Sequence, residues 1–176
     1  MLPIEIDNSW TLFLDRDGVI NQRLENDYVK TWNEFEFLRG VMEALAVAKG
    51  LFKTIVIVTN QQGIGKGIMT ESDLKDIHTR MVKAIESSGG RIDKVYHCPE
   101  LATANPDCRK PNVGMAMSAK QDFPEIDFKR SLMVGDSPSD MEFAQRLEMH
   151  GAYIGNDARF DCYNSLIHVM QGITSK

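Results

Sequence analysis

Two aspartates one residue apart, Asp15 and Asp17, stand directly after the short apolar run Thr11–Leu14 and before Gly18. A carboxylate one residue past a buried strand is held on a rigid edge. A second carboxylate two residues on can share a divalent cation with it, or the pair can divide the roles of nucleophile and acid/base. Gly18 lets the backbone turn sharply there. Three further clusters carry related chemistry. Thr59-Asn60-Gln61 follows the apolar run 54–58; its hydroxyl can donate to a phosphoryl oxygen, and Asn60 can orient a substrate. In Arg109-Lys110-Pro111 the lysine can neutralise a nucleophilic carboxylate and a phosphoryl group together, while Pro111 can start a helix toward Met115. Gly135-Asp136-Ser137 follows another apolar run, with Asp140 one helical turn beyond. Asp136 can ligate a metal, and Asp140 can fix Lys110 or Asp136, or simply begin a helix. Taken singly, each cluster also reads as ordinary structure: a solvated turn, a hydrogen-bonded strand end or a surface basic pair.

The elements that position these clusters follow from apolar patterning. Runs at Thr11–Leu14 and 54–58 show no polar alternation and predict strands buried on both faces. Weaker strand signals lie at 94–97, 131–134 and 151–154. Between them, 41–49 predicts a helix stopped by Gly50. A longer helix is predicted over 70–86, with Thr70 as its cap, Asp73 three residues on, and Gly89-Gly90 ending it. Segments 115–121, 141–147 and 163–170 complete the helical pattern. Buried strands alternating with helices predict an α/β doubly wound parallel sheet with helices on both faces. Ligands bind such sheets at the carboxyl ends of the strands, which is where three of the four clusters fall. Only about twenty residues separate Asp17 from the first helix, too few for an inserted cap domain. Residues 1–176 are therefore expected to form one domain.

Bulk composition narrows the class. The chain is 43% apolar and 26% charged, with a formal net charge of -5. Such a surface repels nucleic acid and anionic membranes, although a local basic pocket needs only a few cations. The first ten residues carry Glu5 and Asp7 and do not read as a secretory signal. No apolar run is long enough to span a bilayer. Three cysteines, Cys98, Cys108 and Cys162, are an odd and sparse set that argues against a disulfide framework and for a reducing cytoplasm. A monomer or small homo-oligomer is expected.

The order and spacing of the four clusters bring a family into view. FLDRDGVIN, VTNQQGIGKG, DCRKP and MVGDSPSD resemble the signatures of the haloacid dehalogenase superfamily of phosphatases. The likeness is closer still to its branch of histidinol-phosphate and D-glycero-D-manno-heptose-1,7-bisphosphate phosphatases. The resemblance implies Asp15 as nucleophile, Asp17 as general acid/base, and Thr59 and Lys110 as stabilisers of the transferring phosphoryl group. It implies Mg²⁺ held by the Asp15 and Asp136 carboxylates and the Asp17 backbone carbonyl. It also places Asn60, Gln61, Arg109, Asp27 and Tyr28 at the substrate, a small phosphorylated metabolite. The loop before Asp27 is slightly longer than the branch pattern. Heptose bisphosphate is the first expectation for the substrate and histidinol phosphate the second.

Two rival classes use similar residues. A phospho-receiver domain also combines aspartates, a threonine and a lysine, but its phosphorylated aspartate sits on a later strand than its metal carboxylates. A catalytically dead binding module would lack a motif residue, and none is missing. The segment from Gln61 to Gly67 has neither the Lys-Ser/Thr of a Walker loop nor the third glycine of a dinucleotide fingerprint. The branch usually carries Cys-x-His and Cys-x-Cys before its Arg-Lys-Pro as a zinc set. Here Glu100 and Pro106 stand at two of those places, so structural zinc is not expected, since closed sites use four Cys or His donors. Cys98, Glu100, Asp107 and Cys108 are what a mixed site would have to use, with His97 as a further donor; His97 should face away from Cys98 if the strand reaches that far.

Overall fold

A computed structural model describes residues 5–174. Strand β1 (Thr11–Leu14) is buried at every position. Its alternation sends Leu12 and Leu14 to one apolar layer and Phe13 to the other, so both faces must be covered. Strand β2 (Thr54–Asn60) divides the same way, with Ile55 and Ile57 joining Leu12 while Val56 and Val58 join Phe13. With β3 (Lys94–Cys98), β4 (Ser131–Gly135), β5 (His150–Ile154) and β6 (Cys162–Tyr163) they form a parallel sheet in the order β3-β2-β1-β4-β5-β6. Helices α1 (Val41–Leu51), α2 (Glu71–Ser87) and α5 (Leu166–Thr174) cover the Leu12 face. Helices α3 (Gly114–Asp122) and α4 (Pro138–Arg146) cover the Phe13 face. This is the doubly wound parallel fold expected from the alternation of signals.

Local chemistry sets the element ends. Thr70 caps α2 as expected: its Oγ1 accepts from the Asp73 N–H at 3.1 Å, and Asp73 Oδ2 accepts from the Thr70 N–H at 2.8 Å. Four expectations need correction. Thr59 and Asn60 do not follow β2 but end it, paired with His97 and Cys98. Pro111 does not start α3, because a turn intervenes in which Asp107 O accepts from the Gly114 N–H at 2.9 Å. Helix α4 begins at Pro138 rather than near Met141, which puts Asp140 in its first turn. Tyr163 lies in β6, paired with Ile154, so the last helix starts only at Leu166. A two-residue strand has too few positions to display a period.

The strand order reverses at β1, which lies between β2 and β4, and a crevice opens there at the carboxyl ends. The Asp15 N–H donates to Val134 O at 2.9 Å, tying the exit of β1 to β4. Between β1 and α1 the chain makes only a 3-10 turn at Trp32–Glu34, and between β3 and α3 only one at Ala102–Ala104. Among the described residues there is no inserted cap domain and no helix long and apolar enough to cross a membrane.

Candidate active site

Lys110 is buried at the floor of the crevice, with its Nζ 2.8 Å from Asp15 Oδ1 and 2.6 Å from Asp140 Oδ1. Burial opposes its charge, but the two carboxylates outweigh that, so its pKa lies above the usual lysine value. Asp140 does double duty: its Oδ2 accepts from the Ser137 N–H at 3.0 Å and from the Ser137 hydroxyl at 2.7 Å, closing the first turn of α4. Of the three roles open to Asp140, the geometry uses two, helix start and anchor for Lys110. Carboxylate oxygens of Asp15, Asp136 and Asp140 lie within 4.8 Å of one another. Burial, helped by Asp140 and Asp17 and opposed by Lys110, raises Asp15 to about 7. Burial also raises Asp136, against the pull of Arg23. Two carboxylates held together at such a cost lack positive charge. Arg23 supplies some of it, with Nη1 3.1 Å from Asp136 Oδ2. Gly18 makes the assembly possible: at φ +88 it turns the chain, and a Cβ there would sit 2.0 Å from Asp136 Oδ2.

Asp17 is held by three donors. Arg16 Nη2 at 2.8 Å and Asn21 Nδ2 at 3.0 Å reach Oδ1, and Gln61 Nε2 at 2.8 Å reaches Oδ2. Burial works against its charge, yet Arg16 and the amide donors hold its carboxyl below the usual range. Gln61 also donates to Thr59 Oγ1 at 2.9 Å, which leaves the threonine hydroxyl hydrogen for another acceptor. The Asn60 side chain brackets the Lys110 backbone: its Oδ1 accepts from the Lys110 N–H at 3.0 Å, and its Nδ2 donates to Lys110 O at 3.2 Å. Both amides line the crevice, but their hydrogen bonds are spent on neighbouring site residues.

The crevice has a volume of about 490 Å³, and Asp27, Tyr28 and Arg109 line it with the residues above. Asp27 is engaged by Lys30 Nζ at 2.7 Å. Lys66 Nζ is 5.2 Å from the centre of the Tyr28 ring, and Arg109 lines the same crevice. Among the described residues neither cation has a carboxylate partner, and Arg109 Nη1 is buried without a hydrogen bond. Arg16 and His78 carry no signal in the sequence; Asn21, Arg23 and Lys66 lie in loops that the sequence places at the site, but only the tertiary fold reveals the direction of their side chains.

A family model described as polynucleotide kinase 3 phosphatase matches residues 10–163. The D-glycero-alpha-D-manno-heptose-1,7-bisphosphate 7-phosphatase of Mycobacterium bovis is 40% identical over 140 residues, covering 80% of this chain and 74% of that protein. This chain belongs to the heptose-bisphosphate branch of the haloacid dehalogenase superfamily. The beta-anomer 7-phosphatase of Vibrio cholerae is 39% identical over 141 residues, covering 76% of this chain and 74% of that protein. Among solved structures, D,D-heptose 1,7-bisphosphate phosphatase from B. bronchiseptica, complexed with magnesium and phosphate, matches with a TM-score of 0.84. It is 27% identical and covers 94% of this chain and 98% of that one.

The loop that leaves β3 carries two of the three cysteines. Cys98 and Cys108 are joined by a disulfide, with Cα atoms 5.3 Å apart, which corrects the expectation drawn from cysteine number. An odd count excludes complete pairing but not a single bridge. The loop 98–108 leaves β3 and returns beside it, which a count cannot foresee. His97 does face away from Cys98: it meets Glu71 and His78 of α2, whereas Cys98 is buried in the Phe13 layer. Both thiols are spent in the bridge, so alkylation of the unreduced protein should label Cys162 alone, and elemental analysis should find no stoichiometric zinc. One zinc per chain, lost in Cys98→Ser and Cys108→Ser, is the contrary result.

Proposed function

We propose that this chain removes the 7-phosphate of D-glycero-D-manno-heptose 1,7-bisphosphate through an aspartyl-phosphate on Asp15, with Mg²⁺ as cofactor. One observation carries the reading: a strand-end carboxylate, paired with a buried lysine, opens onto a crevice whose outer wall holds Arg109 and Lys66 without acidic partners. Phosphoryl transfer needs little beyond fixed positive charge and donors around three equatorial oxygens.

The donor set fits Mg²⁺. Hard carboxylate oxygens from Asp15 and Asp136 converge, and together with the Asp17 backbone carbonyl they would hold the ion. When bound, the ion supplies charge neutralisation at the reacting phosphoryl group. The protein's own residues do the rest. Asp15 attacks phosphorus in line while the bond to the leaving oxygen breaks, and Asp17, which takes up a proton as the anionic substrate enters because its free carboxyl is held below the usual range, gives that oxygen the proton. Water then attacks the acyl-phosphate, Asp17 takes the water's proton, and the Asp15–phosphorus bond breaks. Lys110 and the Thr59 hydroxyl stabilise the transferring group. Asn60 and Gln61 hold Lys110, Thr59 and Asp17 in place. Arg109, with Tyr28, Asp27 and Lys66, meets the sugar and its second phosphate. In this reading the chain works as one unit, and loops rather than a cap select the substrate; the cytoplasmic setting is proposed from the phosphorylated substrate, and the Cys98–Cys108 bridge would have to resist reduction there.

The test is a panel of phosphorylated metabolites with Mg²⁺, comprising both heptose bisphosphate anomers, histidinol phosphate and 4-nitrophenyl phosphate. The highest kcat/KM is expected on a heptose bisphosphate. Arg109→Ala should cost about 10-fold or more on the bisphosphate, the scale of a charge-assisted contact, and less on the aryl phosphate, which has no second phosphate. Equal losses on the two substrates would remove Arg109 from substrate recognition, and preference for histidinol phosphate would overturn the substrate assignment.

A further inference from the structure

Arg16 is among the largest fully buried side chains of the molecule, yet the reaction as written has no role for it. Its Nη2 donates to Asp17 Oδ1 at 2.8 Å, its Nη1 lies 3.2 Å from His78 Nε2, and its guanidinium carbon is 5.9 Å from the centre of the Phe35 ring. Asp17 is its only ion-pair partner among the described residues. His78 comes from α2, on the far side of the sheet's Leu12 layer from α4. Burial, reinforced by Arg16 and His97, lowers His78 to about 3, so the ring is neutral and its Nε2 lone pair accepts from Arg16. Behind it the His97 ring stands 6.1 Å away, with its Nε2 2.9 Å from Glu71 Oε2.

Stability alone is a poor reason to keep this arrangement. A buried ion pair gains little over apolar side chains of similar volume, because desolvation offsets the attraction. What a buried guanidinium does provide, with Nη2 on the Asp17 carboxylate and Nη1 on His78 although its Nε is left without a partner, is a fixed direction for that carboxylate. We infer that Arg16, seated by His78 and Phe35, is the positioning residue for Asp17, holding the acid/base carboxyl where it can reach the leaving oxygen and then the attacking water. This rests on the acid/base reading of Asp17. When the proton leaves Asp17 for the leaving oxygen, the guanidinium stabilises the carboxylate that remains. When water attacks, the same carboxylate is already aimed to receive the proton back.

The consequence is a loss graded by the leaving group, which a merely structural residue would not produce. The ratio kcat/KM reports events up to departure of the leaving group. A sugar alkoxide needs the proton in that step, whereas 4-nitrophenolate leaves without it. Arg16→Lys keeps the charge but cannot hold Asp17 and His78 at once, as the two Nη atoms do. It should lower kcat/KM for the best alkyl phosphate substrate by about 100-fold, within the range of general acid catalysis, and for 4-nitrophenyl phosphate by less than about 5-fold. His78→Leu leaves Arg16 and Asp17 intact and should give the same asymmetry, about 10-fold on the alkyl phosphate; it carries the test if Arg16→Lys does not fold. Asp17→Asn is the reference. If Asp17→Asn discriminates between the substrates while the Arg16 and His78 variants lose equally on both, or lose nothing, the positioning role is overturned. If Asp17→Asn itself does not discriminate, the acid/base reading of Asp17 falls, and the positioning role with it.

Discussion

Asp15→Asn is expected to lower kcat by about 10⁴-fold or more on every substrate, the scale of losing a nucleophile. The amide is nearly isosteric but cannot form the acyl-phosphate. The fold should survive, because Lys110 keeps Asp140 as a partner at 2.6 Å. The sign of the stability effect follows from the raised Asp15 pKa. Between the ordinary carboxylate value of 3.8 and about 7 the folded protein binds a proton that the unfolded chain has released, so stability falls as pH rises through that window. In chelator at neutral pH, Asp15→Asn should therefore melt no lower than wild type. Asp17→Asn gives the complementary result: phosphate trapped on Asp15, read as one added phosphoryl group by mass spectrometry of the quenched enzyme. Substantial turnover by Asp15→Asn, with wild-type contamination excluded, would falsify the covalent route.

Lys110→Met should show two losses with different remedies. Removing a preorganised cation from the reacting group is expected to cost about 10²–10³ in kcat, whichever phosphate ester is offered. It also leaves Asp15 and Asp140 buried without their partner, a destabilisation of about 3–5 kcal/mol. Adding Asp140→Asn removes one of the stranded charges, and the amide can still accept from Ser137. The double variant should recover much of the thermal stability and none of the rate. Thermal melts and kcat measured on the same preparations separate the two effects. If the rate returns with stability, Lys110 serves the fold rather than the phosphoryl group.

Three of the four polar clusters were legible because each stands at the end of a strand that must be buried on both faces. Thr11–Leu14 contains no position that can face water, so it forces a central strand, and Asp15 then falls at its carboxyl end. The same logic places Asp136 after β4, whereas Lys110 follows no strand and was brought to the site by the family motif alone. At the other three clusters, family motifs added roles to positions that spacing had already grouped.

The sequence by itself thus determined five of the six strands, the helices on both faces, and the carboxyl-end convergence of Asp15, Thr59 and Asp136, since these depend on local period and chain order. Only the tertiary structure decided who holds whom. Asn60 and Gln61 read as substrate contacts from their position, but the length of β2 turns their amides onto Lys110, Thr59 and Asp17. Arg16 reads as a spacer between two aspartates, yet it is buried beneath the site against His78, 62 residues away in the chain. Cys98 and Cys108 meet because a loop returns on itself. A hydrogen bond or a bridge between residues distant in sequence leaves no periodic trace in either segment. It comes into being when packing sets the distance, and that distance belongs to the fold.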